Sequence, residues 1–528
     1  MSPDVTRTPV LVVTGPDRQV VKRAAFTYQA QVQNPSTDAD ASELLPQGEV
    51  VLQVRHTPRL VGVHAWSLQD PAGTVLANGE VTAAAASAPV GPVRIARTNP
   101  RLLGFSDGSV FIPIGPNISW ANGPDRLAGF RRYFDKLAAA GGNHCRVWMS
   151  SWCGQVEGYT PDSWRLDHAW LVDGILRAAR ERSLRVTLVL DNHHDLVHGK
   201  AFPYGASTDE RQKTFLSDPP PASYERRLRY VLARWGADDT ILAWELFNEL
   251  DMAQPIRERC LPWAAAAASL FKRLDGDQRL HTISWCGDDW HKLMSLPGID
   301  LTQMHGYVLE WADPEGFKKV GTRDGVAMMK DEAENALSVG KPFCFSEIGY
   351  QGSNERNEGN DLDQDGLLLR QQAWAAFMLG GYGSGMNWWW DTYIDRRGLW
   401  GQYRGLSRTI ARLDWRDPDF APLPPNLGEK VLVIGWHSRT QGLIWPLPRS
   451  DTWYAHLIDE QPRRPLQGPV QVNVEGFAPG EFALHYLDMI TGDERFMLTA
   501  TAGADGTLPI LVPAHALDLV VWVEHPSH

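Results

Sequence analysis

The chain has 528 residues, 43% hydrophobic and 22% charged, which is ordinary for a globular protein and long enough for several domains. Its formal net charge is −12 and no Lys/Arg run stands out, which argues against nucleic acid or an anionic membrane as main partner and fits a neutral substrate. Tryptophan is the compositional outlier, with 22 residues; its flat, rigid face fills cores, and it also stacks on the apolar C–H face of a pyranose.

The opening MSPDVTRTPVLVVTG lacks a basic start followed by the apolar stretch of a signal peptide. No apolar run reaches the roughly 18 residues of a membrane span. The five cysteines, Cys145, Cys153, Cys260, Cys286 and Cys344, are scattered and form no CxxC pair. A reduced, cytoplasmic setting is the expectation, or a secreted one if a leader precedes this sequence.

Residues 1–92 hold short alternating runs such as AFTYQAQV, EVVLQVRH and VGVHAWSLQ, punctuated by Gly, Pro, Asn and Asp. That pattern predicts a small antiparallel β-sandwich, followed by a linker in VTAAAASAPVGPV. From 93 to 420 the pattern becomes alternation. Strands are expected at 111–120, 143–151, 185–194, 240–249, 281–287, 301–307, 342–350 and 385–391. Helical periodicity lies between them, most clearly at 126–140, 164–183, 222–236, 256–275, 325–338 and 366–380. Continuous apolar strands, each followed by a helix, imply a parallel sheet, and eight such units point to a closed (β/α)8 barrel, a TIM-type α/β fold. After the proline-rich break WRDPDFAPLPPNLG, residues 428–528 again read as short strands and predict a second β-sandwich.

A barrel gathers its chemistry at the C-terminal ends of its strands. WELFNEL ends the fourth strand in Asn248-Glu249, and FCFSEIGY brings Glu347 to the end of the seventh. The second strand carries Arg146, the third ends in Asp191, Asn192, His193 and His194, and the sixth holds His305 and Tyr307. The eighth carries Trp388, Trp389 and Trp390, and the first ends near Asn117 and Trp120. Two carboxylates on one such rim are the equipment for breaking a glycosidic bond.

In the order of these residues the sequence resembles clan A of the glycoside hydrolases, most closely the family 5-like cellulase/mannanase group. The resemblance covers the barrel, and residues 1–92 also resemble the sandwich that precedes some bacterial barrels of this type. It implies a retaining β-glycoside hydrolase, with Glu249 as acid/base and Glu347 as nucleophile. Arg146, His193 or His194, Asn248, His305, Tyr307, Trp120, Trp388 and Trp390 become the expected substrate-binding residues. Retention needs carboxyl groups about 5–5.5 Å apart, an ionised nucleophile and an acid of raised pKa. Arg146 and Tyr307 are expected to support the charge of Glu347, and Asn248 to bind the sugar 2-hydroxyl.

Other signals read as structural. Glu245 lies deeper on the fourth strand and is expected to be buried and hydrogen-bonded. The segment DNHHDLVH (191–198) imitates metal-ligand spacing, but one of its histidines already serves as a sugar ligand under the resemblance, so no metal and no cofactor are expected. DLDQDG (361–366) imitates the start of a calcium loop, yet its twelfth position is Gln372, so a solvated lid is expected instead. Trp148, Trp152 and Trp311 are candidates for flanking subsites as well as for packing. Cys145 and Cys344 read as core.

The expected partner is a carbohydrate, and oligomeric state has no sequence signal. The missing leader favours exo-action on imported oligosaccharides; the alternatives are an endo-acting glucanase or mannanase, a transglycosylase, and a non-catalytic binding barrel.

Overall fold

The structure is a computed structural model that describes residues 5–34, 43–85, 91–158, 160, 163–199, 203–253, 256–287, 289–308, 324–352, 357–424, 426–463, 465–514 and 517–525. Trp311 lies outside the described residues.

The central region is a parallel barrel. Strands His144–Trp148, Arg185–Val189, Ile241–Glu245 and Leu280–Thr282 pair in that order, and Thr302–Val308 pairs with Phe343–Tyr350. Nearly every residue of these strands is buried, because helices cover one face and the barrel interior fills the other. The two ladders meet where Asp300 N–H donates to His281 O and Thr282 Oγ1 donates to Leu301 O, at 3.0 and 2.9 Å.

The first and eighth expected strands do not form ladders. Residues 111–120 run extended but touch their neighbours only through bonds such as Ile118 N–H to Arg146 O (3.1 Å) and Asn117 N–H to Asn387 O (3.0 Å). Pro113 and Pro116 remove two ladder donors. Gly115 lets this segment approach so closely that a Cβ there would sit 2.0 Å from His144 O. The eighth segment bonds to the seventh strand through Trp388 N–H to Ile348 O at 3.0 Å, then leaves the extended form for a π-helical turn, Trp390–Asp395.

The helices follow from capping and periodicity. Arg126–Ala139 starts where Asp125 accepts from Ala128 N–H at 2.8 Å, and it buries Leu127, Phe130, Phe134 and Leu137 at spacings of three and four. Thr208–Phe215 opens on a Ser207–Glu210 capping box. Among the described residues no helix is long and apolar enough to cross a membrane.

The N-terminal region forms a four-stranded antiparallel sheet and the hairpin Phe26–Gln33/Leu44–Gln53. Ion pairs fasten it to the barrel: Arg55 grips Asp173 with bonds of 2.6 and 2.7 Å, and Arg59 reaches Asp239 and Asp277. The C-terminal region holds a seven-stranded antiparallel sheet and the pair Val470–Val474/Leu508–Val512, which share one apolar core. It docks through Trp436, whose indole N–H donates to Phe377 O at 2.6 Å, and through the Arg370–Asp518 pair at 2.9 Å.

Candidate active site

Arg146, on the second strand, is the bonding hub that joins the first, fourth and seventh strand ends. Its side chain is fully buried, which a guanidinium tolerates only when its donors are matched. Nε and Nη2 take the two oxygens of Glu245 at 2.6 Å each. Nη1 donates to Glu347 Oε1 at 2.7 Å and to Asn117 Oδ1 at 3.2 Å, and Nη2 donates also to Asn248 Oδ1. Asn117 is itself held, its amide donating to Ser346 O and Met386 O. Glu245, which also accepts from Gln303 Nε2, is buried and hydrogen-bonded as expected, and the structure adds that it is the counter-ion of Arg146.

Glu347 lies in the C-terminal half of Phe343–Tyr350 and is 4% exposed. Tyr307 donates its hydroxyl to Oε2 at 2.7 Å. Burial alone would raise the Glu347 carboxyl, but the neighbouring His305, Arg146 and the Tyr307 bond together hold it below its ordinary value. Burial and the carboxylates beside it drive the Tyr307 phenol the other way, far upward, so it remains a donor.

Glu249 sits just beyond the fourth strand in the left-handed region, φ 52° and ψ 58°. A residue with a Cβ pays about 1–2 kcal/mol for that conformation. The turn lifts the carboxyl out of the strand and toward Glu347. His305 Nδ1 lies 2.6 Å from Glu249 Oε1 and 3.5 Å from Glu347 Oε2. One ligand atom from each of Glu249, His305 and Glu347 falls within 4.8 Å of the others, so the two carboxyl groups face each other at close range. Burial, with the Glu347 charge behind it, raises Glu249 above its ordinary value against the opposing pull of His305. Two carboxyls of one type are therefore driven apart, one toward the ionised form and one toward the protonated form.

The polar rim sorts the remaining candidates. Asn248 Oδ1 accepts from Arg146 and from Ser284 Oγ (3.2 Å), which turns its amide N–H groups toward the cleft and toward His193 Nδ1 at 3.2 Å. Burial pushes His193 down to about 3, so the ring is neutral and can accept. The same nitrogen lies 3.4 Å from Glu249 Oε2, a contact that suits a protonated Glu249. His193 is therefore the histidine of the site; His194 is exposed at the rim, with its ring 6.4 Å from that of Trp152.

Trp120, Trp148, Trp152, Trp388 and Trp390 form one cluster around Trp120, with ring centroids 4.8–5.7 Å from it. Trp388 keeps part of its ring uncovered, packed against Trp148 and Trp390. Trp390 does not face the rim: it is 1% exposed and gives its indole N–H to Trp120 O at 3.2 Å. Strand alternation would have placed it level with Trp388, but the π-helical turn begins at Trp390 and cancels that period. Trp148 is buried as well, beneath Trp388 and beside Arg146. Trp120 and Trp152 are half-buried.

Among the described residues, neither metal-like segment gathers a ligand set. Asp191 is committed to Arg227 by bonds of 2.7 and 2.5 Å, and Asp195 takes Ser151 N–H at 2.9 Å and the Asn192 amide at 2.8 Å. Within DLDQDG, Asp363 is buried rather than part of a solvated lid. Its carboxylate accepts the N–H groups of Leu367 and Leu368 and caps the following helix. The trio Glu249, His305 and Glu347 has the spacing to hold a cation, but the Arg146 guanidinium bonded to Glu347 opposes one there. Cys145 and Cys344 are core residues, Cys344 receiving the Tyr382 hydroxyl. Ser284 was not among the residues legible in sequence. Its only signal is position, at the end of the fifth strand next to the Asn-Glu pair.

No family model matches this chain. Among curated proteins it is similar to mannan endo-1,4-β-mannosidase A of Podospora anserina, 22% identical over 217 residues that make up 37% of this chain and 56% of that one. It is also similar to mannan endo-1,4-β-mannosidase 7 of Oryza sativa subsp. japonica, 26% identical over 324 residues, 52% of this chain and 84% of that one. The alignment thus spans little more than half the length of the Podospora relative. A glycoside hydrolase family 5 structure from Bacteroides vulgatus superposes with a TM-score of 0.55 at 12% identity, covering 83% of this chain and 93% of that one. A second structure from that organism, provisionally named a glycoside hydrolase, gives 0.61 at 12% identity over 98% of this chain and 94% of the other. The chain is thus similar in sequence to mannan endo-1,4-β-mannosidases and similar in fold to glycoside hydrolase family 5 structures.

Proposed function

We propose that the chain cleaves internal β-1,4 linkages of a mannan-type polysaccharide with retention of configuration. The observation that carries this reading is the facing pair Glu249 and Glu347, with oxygens within 4.8 Å and with protonation driven in opposite directions. That spacing suits direct attack by a carboxylate and leaves little room for the water of an inverting enzyme.

In the first step Glu347 attacks the anomeric carbon while Glu249 protonates the departing glycosidic oxygen. In the second, Glu249, now ionised, takes a proton from water, which displaces Glu347. Arg146 and Tyr307 stabilise Glu347 as a carboxylate before attack and as a leaving group afterwards. The cleft-facing amide of Asn248 is placed for the sugar 2-hydroxyl, and Trp388 for the apolar face of the ring. No step calls for a cofactor.

Endo-action replaces the exo-action expected from the sequence, since that expectation rested on location and not on the shape of a cleft. The curated relatives' names support the endo reading and the mannan substrate. We also infer a three-part division into 1–92, 93–420 and 428–528, with a β-sandwich at each end; the core shared by the two C-terminal sheets supports the second sandwich. The five unpaired cysteines favour a reducing compartment.

The test is product analysis on mannan, cellulose and mannohexaose with wild type and Glu347→Ala. Internal cleavage of mannan by wild type, absent in the variant, and an α-glycosyl azide from the variant with azide and an aryl β-mannoside, would support the reading. Equal activity in both proteins would remove Glu347 as the nucleophile. Release of single sugars from one chain end would restore exo-action, transfer products in excess over hydrolysis would favour a transglycosylase, and silence on every substrate would leave a binding barrel.

A further inference from the structure

Resting on that assignment of Glu249 as acid/base, we propose that Ser284 is the positioning residue that holds the acid in place. Residue 284 reads the whole turn that carries Glu249. Its backbone N–H donates to Phe247 O at 3.0 Å and its carbonyl accepts from Leu250 N–H at 3.1 Å. These two bonds are open to any residue type. The hydroxyl adds what only Ser or Thr could: it accepts from Glu249 N–H at 2.9 Å and donates to Asn248 Oδ1 at 3.2 Å. Ser284 is completely buried, so in the intact protein its hydroxyl and not solvent satisfies these groups.

Glu249 stands in a left-handed conformation that its own side chain disfavours, so something outside the residue must maintain it. The Ser284 hydroxyl satisfies the peptide N–H of that strained residue. The same oxygen completes the bonding of Asn248 Oδ1, which keeps the Asn248 amide N–H groups toward the cleft. One oxygen atom therefore sets both the aim of the proton donor and the orientation of its neighbour. Arg146, Tyr307 and Glu347 do not touch it, so its loss should spare the nucleophile.

The experiment compares wild type, Ser284→Ala and Glu249→Gln on mannohexaose and on 2,4-dinitrophenyl β-mannobioside. For the second, the burst of dinitrophenolate is followed, since that leaving group departs without protonation and the burst reads only the first step. Ser284→Ala should lose about 100-fold in kcat on mannohexaose, the scale of an angstrom-sized misplacement, and lose at least about tenfold less in burst rate, because the dinitrophenyl substrate feels only the Asn248 contact and not the aim of the proton donor. Equal losses on both substrates, or no loss on either, would overturn the role of Ser284. If Glu249→Gln itself loses equally on both, the acid/base assignment fails, and that result is distinct from failure of the Ser284 proposal. Should Ser284→Ala not fold, Ser284→Cys keeps a similar volume without a good acceptor and is held to the same two outcomes.

Discussion

Tyr307→Phe removes one oxygen and keeps the ring, so it isolates what the hydroxyl does to Glu347. That hydroxyl is the close donor to Oε2, at 2.7 Å. The next group near that oxygen, His305 Nδ1, stands 3.5 Å away, and Oε1 keeps its 2.7 Å bond from Arg146. A hydrogen bond to a charged group contributes about 1.5–3 kcal/mol, and one pH unit corresponds to about 1.4 kcal/mol. The Glu347 pKa should therefore rise, by less than the full strength of that bond because Arg146 remains. The direction follows from the chemistry: Glu347 must be ionised to attack, and in the wild type it lies below its ordinary value. The acid limb of kcat/KM moves to higher pH, while the basic limb, set by the raised Glu249, moves far less. Stability obeys the same sign. A depressed folded-state pKa contributes stability above the unfolded value, and that contribution disappears as pH falls through the folded one. The variant should lose part of the wild type's advantage near neutral pH and none at strongly acid pH. The assay is kcat/KM as a function of pH on an aryl β-mannoside. A fall in rate that is uniform across pH, with the acid limb in place, would refute the claim that Tyr307 tunes the nucleophile.

The two tryptophans of the eighth segment should separate by phenotype. Trp388→Ala raises KM by about two- to tenfold with little change in melting temperature, the range expected for losing one aromatic contact. Trp390→Ala instead costs about 3–5 kcal/mol of stability in a denaturant titration, because its side chain is buried beneath Trp120. The reverse assignment of phenotypes would show that Trp390 meets the sugar. Asp191→Ala leaves Arg227 buried without its bidentate partner and should destabilise the fold by about 3–5 kcal/mol. Zinc should not alter the melting temperature of the wild type; a zinc-dependent rise lost in Asp191→Ala would make Asp191 a ligand after all.

The composition and period of the chain were enough to lay out the barrel, since a strand buried on both faces must be written as an unbroken apolar run. Glu249 and Glu347 were legible because each closes such a run at the end of the barrel where loops gather. Arg146 was legible as a residue but not as a hub. Its bonds to Glu245, Glu347, Asn117 and Asn248 join four segments far apart in sequence, and only barrel closure brings them to one guanidinium. The choice between His193 and His194 was likewise tertiary, since neighbours on a short helix point different ways and only one meets Asn248. Trp390 was misplaced because a two-residue period was carried into a turn where the backbone no longer alternates. The first strand lost its ladder to Pro113 and Pro116, a signal that was present in the sequence and outweighed by the apolar run around it. Ser284 had no chemical signature at all. A hydroxyl acquires its meaning from the strained peptide opposite it, and that peptide is strained only in the folded chain. The sequence by itself therefore determined which residue types reach the rim. The tertiary structure decided which of them touch, and so which carboxyl is driven toward the ionised form and which toward the protonated form, because burial and neighbouring charge set a pKa and both are properties of the packed barrel.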